Sequence, residues 1–216
     1  MTVAESRRSP PWRSPLALLR RYPLTASVYV IVVSLGTWTV GRPDRHATLM
    51  RAFGISWADL AGMRLHRLAT AVMIQSRPGL RSTIGLLLVV IPFAEWRLGP
   101  RRTAITLFIG DWVSTVSVLI TLRLFAAMGS SAALTAAMTR DGGTSSGVHA
   151  LAAATIVGIE QPKVRRYFAF VLAVEIVTML VFMHRLYDAQ HALAALTGWG
   201  LARIFRNRNR NRRQAR

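Results

Sequence analysis

Two short motifs in the last third of the chain carry side chains able to do nucleophilic and acid–base chemistry. Gly143-Thr144-Ser145-Ser146-Gly147 opens one apolar run, and His191-Ala192-Leu193-Ala194-Ala195-Leu196-Thr197-Gly198 opens another. A serine hydroxyl becomes a strong nucleophile when an imidazole takes its proton, so a serine and a histidine within hydrogen-bond reach form a catalytic dyad. Gly142 and Gly143 open backbone conformations that a side chain forbids. A helix beginning at Ser145 leaves its first-turn amides without partners inside the helix, and such amides can bind a developing oxyanion. The competing reading of the same residues is structural. In it, Thr144 or Ser145 caps a helix and His191 bonds a backbone carbonyl at an interface.

The elements that must position these residues are membrane helices. Hydrophobic residues make up 52% of the chain, mean hydropathy is +0.33, and the apolar residues are bunched into runs. Period-2 alternation is absent, which argues against a barrel. Six spans are read: Leu24 to Val40, Gly79 to Trp96, Thr103 to Leu122, a short Ser145 to Ile159, Tyr167 to Met183, and Asp188 to Phe205. With the N-terminus inside, eighteen of the 28 Lys and Arg fall on the cytoplasmic side, and five of the others lie between Arg42 and Arg67. The short loops then obey the positive-inside rule, giving a plasma-membrane protein with both termini cytoplasmic. In that topology Ser145 and His191 each sit within a turn of the outer mouth. Ala150, Ala154 and Gly158 form a stripe of small residues on the fourth span, and Ala194, Gly198 and Ala202 form one on the sixth. Facing stripes would draw the two mouths together.

One membrane domain, residues 23–205, is expected between a disordered basic tail at 1–22 and a basic cytoplasmic tail at 206–216. Between the first two spans, Ile55, Trp57, Leu60, Met63 and Leu65 recur at helical spacing, predicting an amphipathic helix at the interface. Leu68 to Ile74 is apolar but too short to span. The net charge of +19 suggests RNA, but no aromatics interleave the tail arginines, so anionic lipid headgroups are the expected partner and nucleic acid is not. There is no cysteine, and the histidines at 46, 66 and 184 lack metal-ligand spacing, so neither metal nor cofactor is assigned. Asp111 and Glu175 fall at mid-membrane depth, where they are hydrogen-bonded structural carboxyls or, on a transporter reading, proton-relay groups.

The motifs together resemble the rhomboid intramembrane serine proteases and their divergent relatives, over most of the chain from about Arg67 onward. Gly143-Thr144-Ser145 is similar to the family's Gly-x-Ser opening the fourth helix. His191, Ala194 and Gly198 match His-x-x-small-x-x-x-Gly on the sixth. Glu95-Trp96-Arg97-Leu98-Gly99 resembles the Glu-x-Arg-x-Gly stretch ending the second helix, and His66-Arg67-Leu68-Ala69-Thr70-Ala71 resembles the Trp-Arg-Leu-x-Thr-Ser stretch before it. The resemblance implies an all-α, six-helix bundle in which Ser145 is the nucleophile and His191 the base. Ser146 is the rival nucleophile, and His149 stands where the family places an aromatic packed on the catalytic histidine. Gly143 and the Ser145 amides would serve the oxyanion. The family's His-x-x-x-Asn on the second helix falls near Gly79 and Thr83, which supply neither group, leaving Gln75 and Ser76 as nearby substitutes. Clients would be transmembrane helices, either cleaved or, in a catalytically inactive relative, bound without cleavage.

Overall fold

The computed structural model describes residues 20–75, 84–182 and 186–214, and among them the chain is all-helical. The helices are α1 (Pro23–Thr39), α2 (Pro43–Phe53), α3 (Trp57–Ala61), α4 (His66–Ala71), α5 (Ile84–Leu98), α6 (Pro100–Ala127), α7 (Ser131–Met138), α8 (Ser145–Val157), α9 (Pro162–Phe182) and α10 (Leu186–Gln214). Residues 1–19 of the tail expected to be disordered, and Ser76, Gly79 and Thr83, lie outside the described residues, while Arg20 and Arg21 of that tail are helical.

Helix α8 is the central post. It packs against α10, α6 and α5, and more lightly against α9. Thirteen residues rise only about 20 Å, so its apolar run is matched to neighbours rather than to length. Val148, Ala150, Leu151, Ala153 and Ala154 are all buried. The small-residue stripes do face one another. A β-carbon on Gly198 of α10 would collide with the backbone of Ala150, and one on Gly110 of α6 would overlap the Ala150 side chain. Three helices therefore meet around one alanine, at a separation that only glycine permits. A β-carbon on Gly147 would sit 2.7 Å from the Leu107 carbonyl, closing the α8–α6 contact one turn higher.

Glu95, read as a structural partner, caps α1. Its carboxylate accepts from the Leu24 and Thr25 amides at 3.0 and 2.8 Å and from Thr25 Oγ1 at 2.6 Å. These are first-turn amides, which no helix satisfies by itself. Arg97, on the same helix end, donates to the Gly158 carbonyl that closes α8.

The segment between α1 and α5 departs from expectation. One amphipathic helix through Ile55 and Leu65 is not formed; α2, α3 and α4 take its place. Ile55 is buried while Met63 is 74% exposed, so those positions do not share a face. The organiser is Asp59, fully buried. It accepts from the Ser56 amide and hydroxyl at 3.2 and 2.8 Å and faces Arg64, Arg67 and Arg140, each at 3.4 Å. Burial pushes its carboxyl up, but the Ser56 hydrogen bond and the Arg67 and Arg140 charges outweigh that and hold it below its usual range. Helix α7, before the fourth run, is a further element beyond the six expected.

Helix α6 is long and apolar enough to cross a membrane, and α1 and α8 are shorter apolar helices. Large apolar side chains cover much of the outer surface, including Val30, Val89, Phe93, Leu124, Phe170, Val177 and Leu196.

Candidate active site

Ser145 is the first residue of α8, and its hydroxyl lies 3.1 Å from His191 Nε2 on the second turn of α10. The Gly198–Ala150 approach fixes this meeting. It locks the two helices side by side just below their starts, so residues at matching height face across the seam. Both side chains are half-buried, whereas Ser146 and His149 are buried. Of the two candidate serines, Ser145 is the one hydrogen-bonded to the imidazole. Its hydroxyl can donate to Nε2 only if that nitrogen is bare, which puts the ring proton on Nδ1. The buried Nδ1 is approached by the Asp188 carbonyl, one turn back on α10, without reaching regular hydrogen-bond geometry.

His149 stands one turn below Ser145, and its Nδ1 donates to the Ser145 carbonyl at 2.8 Å. Its ring is tilted 52° against that of His191, with centroids 4.5 Å apart. Its Nε2 lies 3.5 Å from Glu175 Oε1 on α9. A carbonyl only accepts, so His149 Nδ1 carries a proton; Nε2 then meets the carboxylate only if one of the pair holds a second proton. Glu175 thus belongs to the site and faces His149, a partnership its place in a largely apolar run concealed. Two ionisable residues in adjacent apolar runs were the available signal.

The loop that presents Ser145 is clamped by the α1–α5 segment. Ile55 and Asp141 exchange backbone hydrogen bonds at 2.9 and 2.7 Å, and the Gly143 amide donates to the Ala71 carbonyl at 3.0 Å. Thr144 Oγ1 donates to the Val72 carbonyl at 2.8 Å and accepts from Gln75 Nε2 at 3.4 Å. Thr144 occupies the N-cap position of α8 but makes no capping hydrogen bond. The capping reading of these hydroxyls therefore fails, because the threonine bonds the clamp and the serine bonds the histidine. Gln75 is buried and its carbonyl meets His46 Nε2 at 2.9 Å, which places an amide beside the serine loop. Asp141 is also part of the clamp, and burial pushes its carboxyl up to about 6.

The first-turn amides of Ser145, Ser146 and Gly147 have no carbonyl one turn back inside α8. Chemically, the arrangement offers a hydroxyl, a base that can take its proton, and donors for negative charge developing beside it. No family model, no curated protein and no solved structure matches the chain.

Proposed function

We propose that the chain is a rhomboid-like integral membrane protein that acts as an intramembrane serine protease on membrane-anchored clients. The observation that carries this reading is the 3.1 Å hydrogen bond between Ser145 and His191, side chains 46 residues apart on two helices whose mouths coincide. In this mechanism Ser145 Oγ attacks a peptide carbonyl as His191 Nε2 takes its proton. The α8 first-turn amides, with Gln75 nearby, hold the oxyanion, and His191 returns the proton to the leaving amine. Water then repeats the sequence on the acyl-serine. Immersion in the plasma membrane, with six spans and cytoplasmic termini, is supported by the apolar outer faces of α1, α5, α6, α9 and α10 and by the arginine distribution. The clients expected from the family likeness are transmembrane helices that unwind easily near their outer end.

Fluorophosphonate labelling in native membranes tests the reading. Wild type and Ser146→Ala should label, while Ser145→Ala and His191→Ala should lose at least ~10³-fold in rate, as when a member of a serine–histidine pair is removed. A folded wild type that never labels would transfer the reading to a protein that binds client helices without cutting them.

A further inference from the structure

At the end of the bundle opposite Ser145, the ends of α5 and α8, the starts of α6 and α9 and the Ala202–Arg206 stretch of α10 line an open cavity of about 410 Å³. Its wall is divided. Leu98, Val157, Ile159 and Phe205 supply an apolar side, and Arg102, Arg165 and Arg206 supply guanidiniums from α6, α9 and α10, with Glu160 at the same wall. The volume is that of an ordinary ligand pocket, typically ~300–1,000 Å³.

The arginines near this end are not equivalent. Arg97 is engaged by the Gly158 carbonyl and the Trp96 ring, and Arg203 lies 3.7 Å over Trp199. Arg102 is held 5.5 Å over Phe205, which keeps its charge at the cavity wall. Among the described residues, Arg165 and Arg206 have no carboxylate within ion-pair distance. A concave space with the guanidiniums of Arg165 and Arg206 on one side and hydrocarbon on the other is complementary to an amphiphilic anion.

We propose that this cavity binds a phosphate-bearing anion, with the headgroup of an anionic phospholipid as occupant. The phosphate sits among Arg102, Arg165 and Arg206, and the glycerol and upper acyl chain lie along Leu98, Val157 and Phe205. Basic pockets between helices on the cytoplasmic side of a membrane take such headgroups. The site is independent of the serine, so it does not depend on whether the protein cleaves anything.

The test is native mass spectrometry of the full chain in nonionic detergent with added phosphatidylglycerol, phosphatidylcholine or inorganic phosphate. Wild type should retain one phosphatidylglycerol in preference to phosphatidylcholine. The triple variant Arg102→Gln/Arg165→Gln/Arg206→Gln should lose roughly tenfold or more in occupancy, the scale of one charge-assisted contact. A control with Arg212→Gln and Arg213→Gln in the tail should bind as wild type does. Retention of the lipid but not of inorganic phosphate assigns the headgroup; retention of both assigns the phosphate group alone and overturns the lipid as occupant. Equal retention of phosphatidylcholine by wild type overturns the site without reference to any variant. So does loss of phosphatidylglycerol in the tail control, or its undiminished retention in the triple variant.

Discussion

At the residue scale, the candidate site is a chain of polar contacts drawn from three helices: Glu175, His149, Ser145 and His191. Ser145 and His191 were legible because each opens an apolar run, and residue type plus depth is written in sequence order. Glu175 was legible only as an expensive residue in need of a partner; which partner depended on how α9 rotates against α8, and no local pattern encodes that. His149 donates from Nδ1 to the Ser145 carbonyl, and its Nε2 lies 3.5 Å from Glu175 without a regular hydrogen bond. It holds the serine backbone and packs against the His191 ring. His149→Phe keeps a ring against His191 but drops the carbonyl bond. Labelling by fluorophosphonate should slow about tenfold, the worth of roughly one hydrogen bond. Glu175→Gln should slow it less, since a carboxamide can still donate to His149 Nε2, and Glu175→Leu should match His149→Phe. Unchanged rates in both His149→Phe and Glu175→Leu would reduce the pair to packing. Asp141 offers a pH-dependent check on the clamp. Its carboxyl is raised from 3.8 to about 6, so the folded chain keeps a proton that the unfolded chain has released. That contribution is favourable below the unfolded value and is lost as pH rises from about 4 to 6. Asp141→Asn should therefore raise the thermal midpoint above pH 6 and leave it unchanged near pH 4, as followed by thermal unfolding in detergent.

At the element scale, small residues decide what meets what. The stripes on the fourth and sixth runs were visible as four-residue spacing, and they face one another as that spacing suggested. The third member, Gly110 on α6, sits in a stripe of its own, Thr106, Gly110 and Ser114, whose four-residue spacing was as legible as the other two. The consequence is a sharp contrast between two glycines on one helix. Gly198 has the Ala150 backbone where a β-carbon would go, while Gly200 has nothing within 4 Å. Gly198→Ala should destabilise the chain by about 3 kcal/mol or more, the upper range for overpacking, because backbone cannot step aside. Gly200→Ala should stabilise it by about 0.5–1 kcal/mol through helix propensity. Thermal midpoints of the two variants in one detergent would check both signs. The α1–α5 segment was least legible. Its apolar residues suggested one helix, but the buried Asp59 draws Arg64, Arg67 and Arg140 to within 3.4 Å from three places in the chain, and the segment turns between α2, α3 and α4. Electrostatic demand overrode periodicity there.

At the scale of the whole molecule, the apolar outer surface and the arginine distribution are the support for the proposed immersion and orientation. The absence of cysteine makes this directly measurable. A single cysteine replacing Met128, after α6, should react with a membrane-impermeant maleimide from outside intact cells. One replacing Lys163, at the start of α9, should react only after permeabilisation; both residues are exposed. Reaction of both from the same side would overturn the orientation. Composition made the all-helical class readable, because long apolar runs leave few alternatives; the central place of α8 was not, since burial on every side depends on which helices surround it. The 46 residues between Ser145 and His191 also have a meaning in time. During synthesis at ~5–20 residues per second, the hydroxyl leaves the ribosome some 2 to 9 seconds before the imidazole. The clamp residues Ile55, Ala71 and Gln75 are made earlier still. A nascent chain therefore carries Ser145 without its hydrogen-bond partner, and a chain cut short ahead of α10 never forms the pair. The pair forms only once α10 packs on α8, with Gly198 against Ala150.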